Sequence, residues 1–87
     1  MTVFFTRTSE TYNYQISSSS TSISGYTGQN NLAIPVKNLF QGETVTISVN
    51  CNTVGGFSVN ALFHVNGSMV ARTGCVLSGS GQMTYTV

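Results

Sequence analysis

The segment from Glu43 to Asn52, "ETVTISVNCN", alternates apolar and polar residues without interruption, with Val45, Ile47, Val49 and Cys51 on one side and Thr44, Thr46, Ser48 and Asn50 on the other. A period of two is strand geometry, because successive side chains leave an extended backbone on opposite faces, whereas a 3.6-residue helical repeat would scatter both sets around its circumference. One face of this strand is suited to a core and the other to water or a partner. The same period runs through "GFSVNALFHVN", where Phe57, Val59, Ala61, Phe63 and Val65 form the apolar row, and through "GQMTYTV", with Met83, Tyr85 and Val87. Further strands are suggested by "TVFFT", by Tyr12, Tyr14 and Ile16, and by Leu32, Ile34 and Val36. No segment has helical periodicity.

Turn chemistry agrees. Asn66-Gly67 lies between β-rich runs, and the positive φ needed at both centres of a type I′ turn makes this pair a strong hairpin signal. The hairpin register then sets Val65 opposite Ser68, Phe63 opposite Val70 and Ala61 opposite Arg72. Continued unbroken, it places Cys75 on the His64 side unless a bulge intervenes, for which Gly74 is the expected place. Pro35 can donate no ladder hydrogen bond, so its strand should be an edge or contain a bulge. The low-complexity stretch Ser17 to Asn31 reads as a polar edge strand leading into a long surface loop, with Tyr26, Gln29, Asn30 and Asn31 as a candidate hydrogen-bonding platform. These signals predict a single all-β domain over residues 1–87: a small two-sheet antiparallel β-sandwich, jelly-roll-like or immunoglobulin-like, of about 6 to 8 short strands. The chain has no Trp to pack on a disulfide in the antibody manner.

Charge narrows the function. Only Arg7, Glu10, Lys37, Glu43 and Arg72 are formally charged, 6% of the chain, against roughly 25% in an average soluble protein. Ser, Thr, Asn, Gln and Gly supply 45 of the 87 residues. A net charge of +1 without a basic cluster cannot neutralise a run of phosphates, which argues against nucleic acid as a partner. No apolar run approaches the roughly 20 residues of a membrane-spanning helix, so membrane insertion is not expected. The start "MTVFFTRT" lacks the basic and long apolar regions of a secretory signal, and the Ser/Thr/Asn-rich surface suggests a virion or extracellular setting. With one Lys in the chain, strand edges lack their usual protection against pairing, which points to a homo-oligomer or a larger assembly.

Reactive groups are few. The chain contains no Asp, two Glu and one His, so a Ser-His-Asp triad is impossible and a pair of catalytic carboxylates would use both glutamates. No enzyme activity, metal or cofactor is expected. His64 reads as a partly covered surface histidine beside Leu62 and Met69. "NGS" at Asn66 to Ser68 also matches a glycosylation sequon, although the hairpin explains the same residues. Cys51 and Cys75 could form a disulfide, remain two buried thiols or supply a reactive thiol, for which the only cation close in sequence is Arg72. An oxidising setting favours the bond, which would close a loop of about 25 residues and stabilise the fold by about 3 to 4 kcal/mol in the chain-entropy model.

The expected function is a non-enzymatic structural subunit of an extracellular particle, such as a capsid-decorating or fibre-associated virion accessory acting through contacts with itself or with capsid or fibre neighbours. The alternative is a small carbohydrate-binding module or lectin using Tyr and Asn/Gln/Ser/Thr contacts with glycans. In either reading Thr44, Thr46, Ser48 and Asn50 form a candidate contact row.

Overall fold

A computed structural model describes residues 1–7, 11–27, 31–51, 58–76 and 79–87. The strands are β1 (Thr2–Arg7), β2 (Tyr12–Ser17), β3 (Ser22–Thr27), β4 (Asn31–Pro35), β5 (Thr44–Cys51), β6 (Ser58–Val65), β7 (Ser68–Val76) and β8 (Ser80–Thr86). They form two antiparallel four-stranded sheets, ordered β4-β1-β6-β7 and β3-β2-β5-β8. The protein is therefore an all-β two-sheet sandwich. Only β2–β3 and β6–β7 are hairpins within one sheet; every other connection crosses between sheets. An immunoglobulin domain places its first two strands in one sheet, whereas here β1 and β2 belong to different sheets.

The alternating rows meet in the core. Val3 and Phe5 of β1 with Val59, Ala61 and Phe63 of β6 face Tyr12 and Ile16 of β2 with Val45, Ile47 and Val49 of β5, all of them buried. Aromatic contacts span the gap, Phe5 lying 5.8 Å from Tyr12 and 4.9 Å from Tyr14, and Phe63 lying 5.5 Å from Tyr85. Truncating such a residue costs about 3 to 5 kcal/mol, which is comparable with the whole stability of a small domain. Phe57 lies outside the described residues.

The β6–β7 hairpin corrects the expected register. Asn66 (φ 53°) and Gly67 (φ 81°) make the tight turn, with Val65 opposite Ser68 and His64 opposite Met69. One residue, Val70, is then passed over, so that Phe63 pairs with Ala71 rather than Val70, and Ala61 with Thr73 rather than Arg72. The bulge thus falls at Val70, not at Gly74. The unbulged register would turn Arg72 into the core, where an unpaired guanidinium is very unfavourable; the shift leaves Arg72 exposed opposite Leu62. It also puts small Ala71 beside large Phe63 and turns Cys75 inward opposite Val59.

Cys75 there bonds to Cys51 of the facing sheet, with 5.8 Å between Cα atoms. Nearby, β7 closes against β8: a Cβ at Gly81 would collide with the Gly74 carbonyl and the Thr73 hydroxyl. One long side of the sandwich is therefore shut at β7 and β8, and β3 and β4 are the edge strands of the other side. Pro35 ends edge strand β4, paired with Thr2. The stretch Ser17 to Asn31, expected to be a polar edge strand leading into a long surface loop, contains a polar edge strand, β3, which follows a tight turn at Ser18–Thr21 closed by Ser18 N–H donating to the Thr21 carbonyl at 2.8 Å; residues 28–30 lie outside the described residues.

Replacing both cysteines by Ala should lower stability by about 3 to 4 kcal/mol in urea unfolding relative to the oxidised protein. Deleting Val70 should turn Cys75 outward, so that a thiol titration finds two free cysteines.

Candidate functional site

The outward face of the β3-β2-β5-β8 sheet follows from the same alternation that builds the core. On β5 it presents Thr44, Thr46, Ser48 and Asn50; beside them β2 presents Asn13, Gln15 and Ser17, and β8 presents Ser80, Gln82, Thr84 and Thr86. The edge strand β3 adds Ser22, Ser24 and Tyr26. The face carries no charge at any of these positions. Neighbouring strands lie about 4.8 Å apart and same-face residues of one strand about 6.8 Å apart, so hydroxyls and amides form a regular grid of donors and acceptors. Thr44 and Thr86 hydroxyls already bond across it at 3.1 Å.

Two shallow, open depressions mark this face. One, of about 460 Å³, lies among Asn13, Gln15, Ser24, Tyr26 and Asn50; the other, of about 400 Å³, among Gln15, Ser48, Asn50, Ser80 and Gln82. They share Gln15 and Asn50 and so form one polar trough across the middle of the sheet. Tyr26 stands at its β3 end, 66% exposed, its hydroxyl 2.9 Å from that of Thr11. Tyr14 points the other way into the sandwich, and its ring passes so close to Gly25 that a Cβ there would overlap it.

The candidate residues divide accordingly. Thr44, Thr46, Ser48, Asn50 and Tyr26 share this face. Asn31 does not, because the chain changes sheets between β3 and β4: it pairs with Thr6 in the opposite sheet. The expected grouping of Tyr26 with Asn31 is therefore corrected. Gln29 and Asn30 lie outside the described residues. Asn13, Gln15 and Gln82, which no sequence motif marks, also line this face. Their alternation in "YNYQIS" and "GQMTYT" was a usable signal, but their adjacency to β5 depends on strand order.

The opposite outer face is different. Phe4, Met69 and Val70 are partly exposed there, and His64 is half-buried with its ring 4.8 Å from that of Phe4. Among the described residues no three of His, Cys, Asp and Glu come together as metal ligands, and no helix is long and apolar enough to cross a membrane.

Glu43, just before β5, has a different task. Its carboxylate accepts hydrogen bonds from the Ser18 hydroxyl, from the Ser20 hydroxyl at 2.5 Å and from the Phe40 N–H at 3.1 Å. Its backbone carbonyl accepts from Val87 N–H at 2.9 Å. One buried residue thus ties the β2–β3 turn, the loop before β5 and the last residue together. The Ser18 bond, then the Ser20 bond, hold its pKa down at about 2 against the desolvation that opposes them. Phe40 itself is left exposed at the tip of this loop.

Comparison with protein-family models, with characterised proteins and with solved structures finds no match to this chain.

Because the Glu43 pKa is lower folded than unfolded, its stabilisation is complete above the unfolded value of about 4.5 and is lost as pH falls towards about 2. Thermal melts should show the wild type losing stability across that window. Glu43→Gln should be less stable at neutral pH and almost flat through the same window.

Proposed function

We propose that this chain is a non-enzymatic structural subunit of an extracellular particle, a virion accessory of the capsid-decorating or fibre-associated kind, acting through contacts with other subunits. The observation that supports this reading most is the uncharged outer face of the β3-β2-β5-β8 sheet, a continuous grid of hydroxyls and amides. Charged residues are depleted at the centres of protein interfaces because burying them requires a partner for each charge. Short neutral side chains avoid that cost, and their donors and acceptors can be matched by the neighbour's own polar groups. The disulfide between the sheets suits a protein that works outside the reducing cytoplasm.

A second reading, a carbohydrate-binding module, draws on the trough between Tyr26, Gln15 and Asn50. A sugar is neutral and dense in hydroxyls, and an exposed Tyr at the rim offers a ring to its apolar face.

Two measurements test these readings. Density-purified particles from the producing culture should contain the chain at a fixed ratio to the main coat subunit, and Ser48→Lys should cut its incorporation by more than tenfold while leaving the melting temperature unchanged. Absence of the wild-type chain from the particles refutes the structural reading. Glycan binding by a multivalent form, weakened about fivefold by Asn50→Ala, the effect of losing one hydrogen bond of about 1 kcal/mol, would establish the second reading instead.

A further inference from the structure

We propose that β3 is a self-association edge, pairing antiparallel with β3 of a second copy about a two-fold axis through Ser24, so that two β3-β2-β5-β8 sheets become one continuous sheet. This names the partner for the assembly role proposed above and rests on that reading.

The direction of the backbone groups carries the argument. Ser18 N–H bonds the Thr21 carbonyl, and in an antiparallel pair bonded and non-bonded positions alternate. Ile23, Gly25 and Thr27 therefore direct their N–H and C=O groups towards β2, while Ser22, Ser24 and Tyr26 direct theirs outward. The far side of the sheet gives the same phase independently. Cys51 N–H bonds the Gly79 carbonyl and Val87 N–H bonds the Glu43 carbonyl, which leaves Asn50, Ser48 and Thr46 facing β2, and Tyr14 and Ile16 facing β3. Among the described residues, no hydrogen bond reaches the outward backbone groups of Ser22, Ser24 or Tyr26.

The other edges are obstructed. On β4 the bond from Val36 N–H to the Met1 carbonyl sets the phase, so that Asn31, Ala33 and Pro35 face outward, and Pro35 has no N–H to offer. β7 is broken by its bulge at Val70 and carries exposed Arg72. β8 has β7 against it at Gly81. β3 has no charge and no Pro, the devices that normally protect an edge.

Its register is also self-complementary. With Ser24 opposite Ser24 of the second copy, Ser22 falls opposite Tyr26, and each such pair exchanges two N–H···O bonds. Between them Ile23 falls opposite Gly25, the residue without a side chain, and lies over the Tyr14 ring that covers Gly25. Ile23 and Tyr14 are only partly buried in one copy, so pairing covers apolar surface as well as satisfying the edge. With a net charge of +1, two copies hardly repel.

The test uses the full chain. At a bonded antiparallel pair the Cα atoms are about 5.5 Å apart, within disulfide reach. Ser24→Cys should oxidise to a covalent dimer on a non-reducing gel. Ser22→Cys alone should form at least tenfold less, yet should form a mixed dimer with Tyr26→Cys. Light scattering of the wild type should show a dimer that Ser24→Pro converts to monomer, with an unchanged circular dichroism spectrum, since the Ser24 N–H points away from β2 and makes no bond to the described residues. A wild-type monomer at high concentration, equal cross-linking of Ser22→Cys and Ser24→Cys, or a dimer that survives Ser24→Pro overturns the proposal. The two readings fail separately: a dimer that is absent from particles sinks the particle role alone, and a monomer that is incorporated sinks the edge pairing alone.

Discussion

One unpaired residue, Val70, decides which side of β7 every later side chain occupies. Because side chains alternate, a single extra residue exchanges the two faces of everything beyond it. Arg72 is thereby kept out of the core, Cys75 is brought in to meet Cys51, and the Gly74 backbone is set against Gly81. The closure of one long side of the sandwich follows from that approach. The open side, with β3 and β4 as its edges, is what remains.

The two outer faces then differ in kind. One carries the partly exposed Phe4, Met69 and Val70, with Arg72 among them. The other is a grid of neutral hydrogen-bonding groups around Gln15 and Asn50. A face of this kind offers many weak, evenly spaced hydrogen-bonding groups rather than any strong one. Glu43 joins three segments of chain, and His64 lies against Phe4 in the other sheet.

Much of the fold was legible because burial imposes a period on each strand separately. The rows Val45-Ile47-Val49 and Val59-Ala61-Phe63 could be assigned to a core without knowing what they faced, and Pro35 could be assigned to an edge because it lacks a donor. The outward row Thr44, Thr46, Ser48 and Asn50 followed from the same alternation. Strand order was not legible, since no local pattern records which strands become neighbours, and the full extent of the polar face depends on that order. The position of the bulge is hidden for a related reason: a glycine such as Gly74 can accept a bulge, but its place at Val70 follows from the cost of burying Arg72 and the gain of burying Cys75. Glu43 was visible only as one of two carboxylates, because its donors Ser18 and Ser20 lie more than twenty residues away in the chain.

The clasp around Glu43 has a consequence for the conditions the protein can tolerate. Its carboxylate is held by two hydroxyls and a backbone amide, none of them an ion. Salt bridges weaken as dissolved ions screen them, whereas short hydrogen bonds from neutral donors to a largely covered carboxylate have little long-range field to lose. Together with a chain in which only 6% of residues are charged, this leaves the fold with few charge pairs for dissolved ions to weaken, so that screening of the kind that loosens salt-bridged proteins has little here to act on.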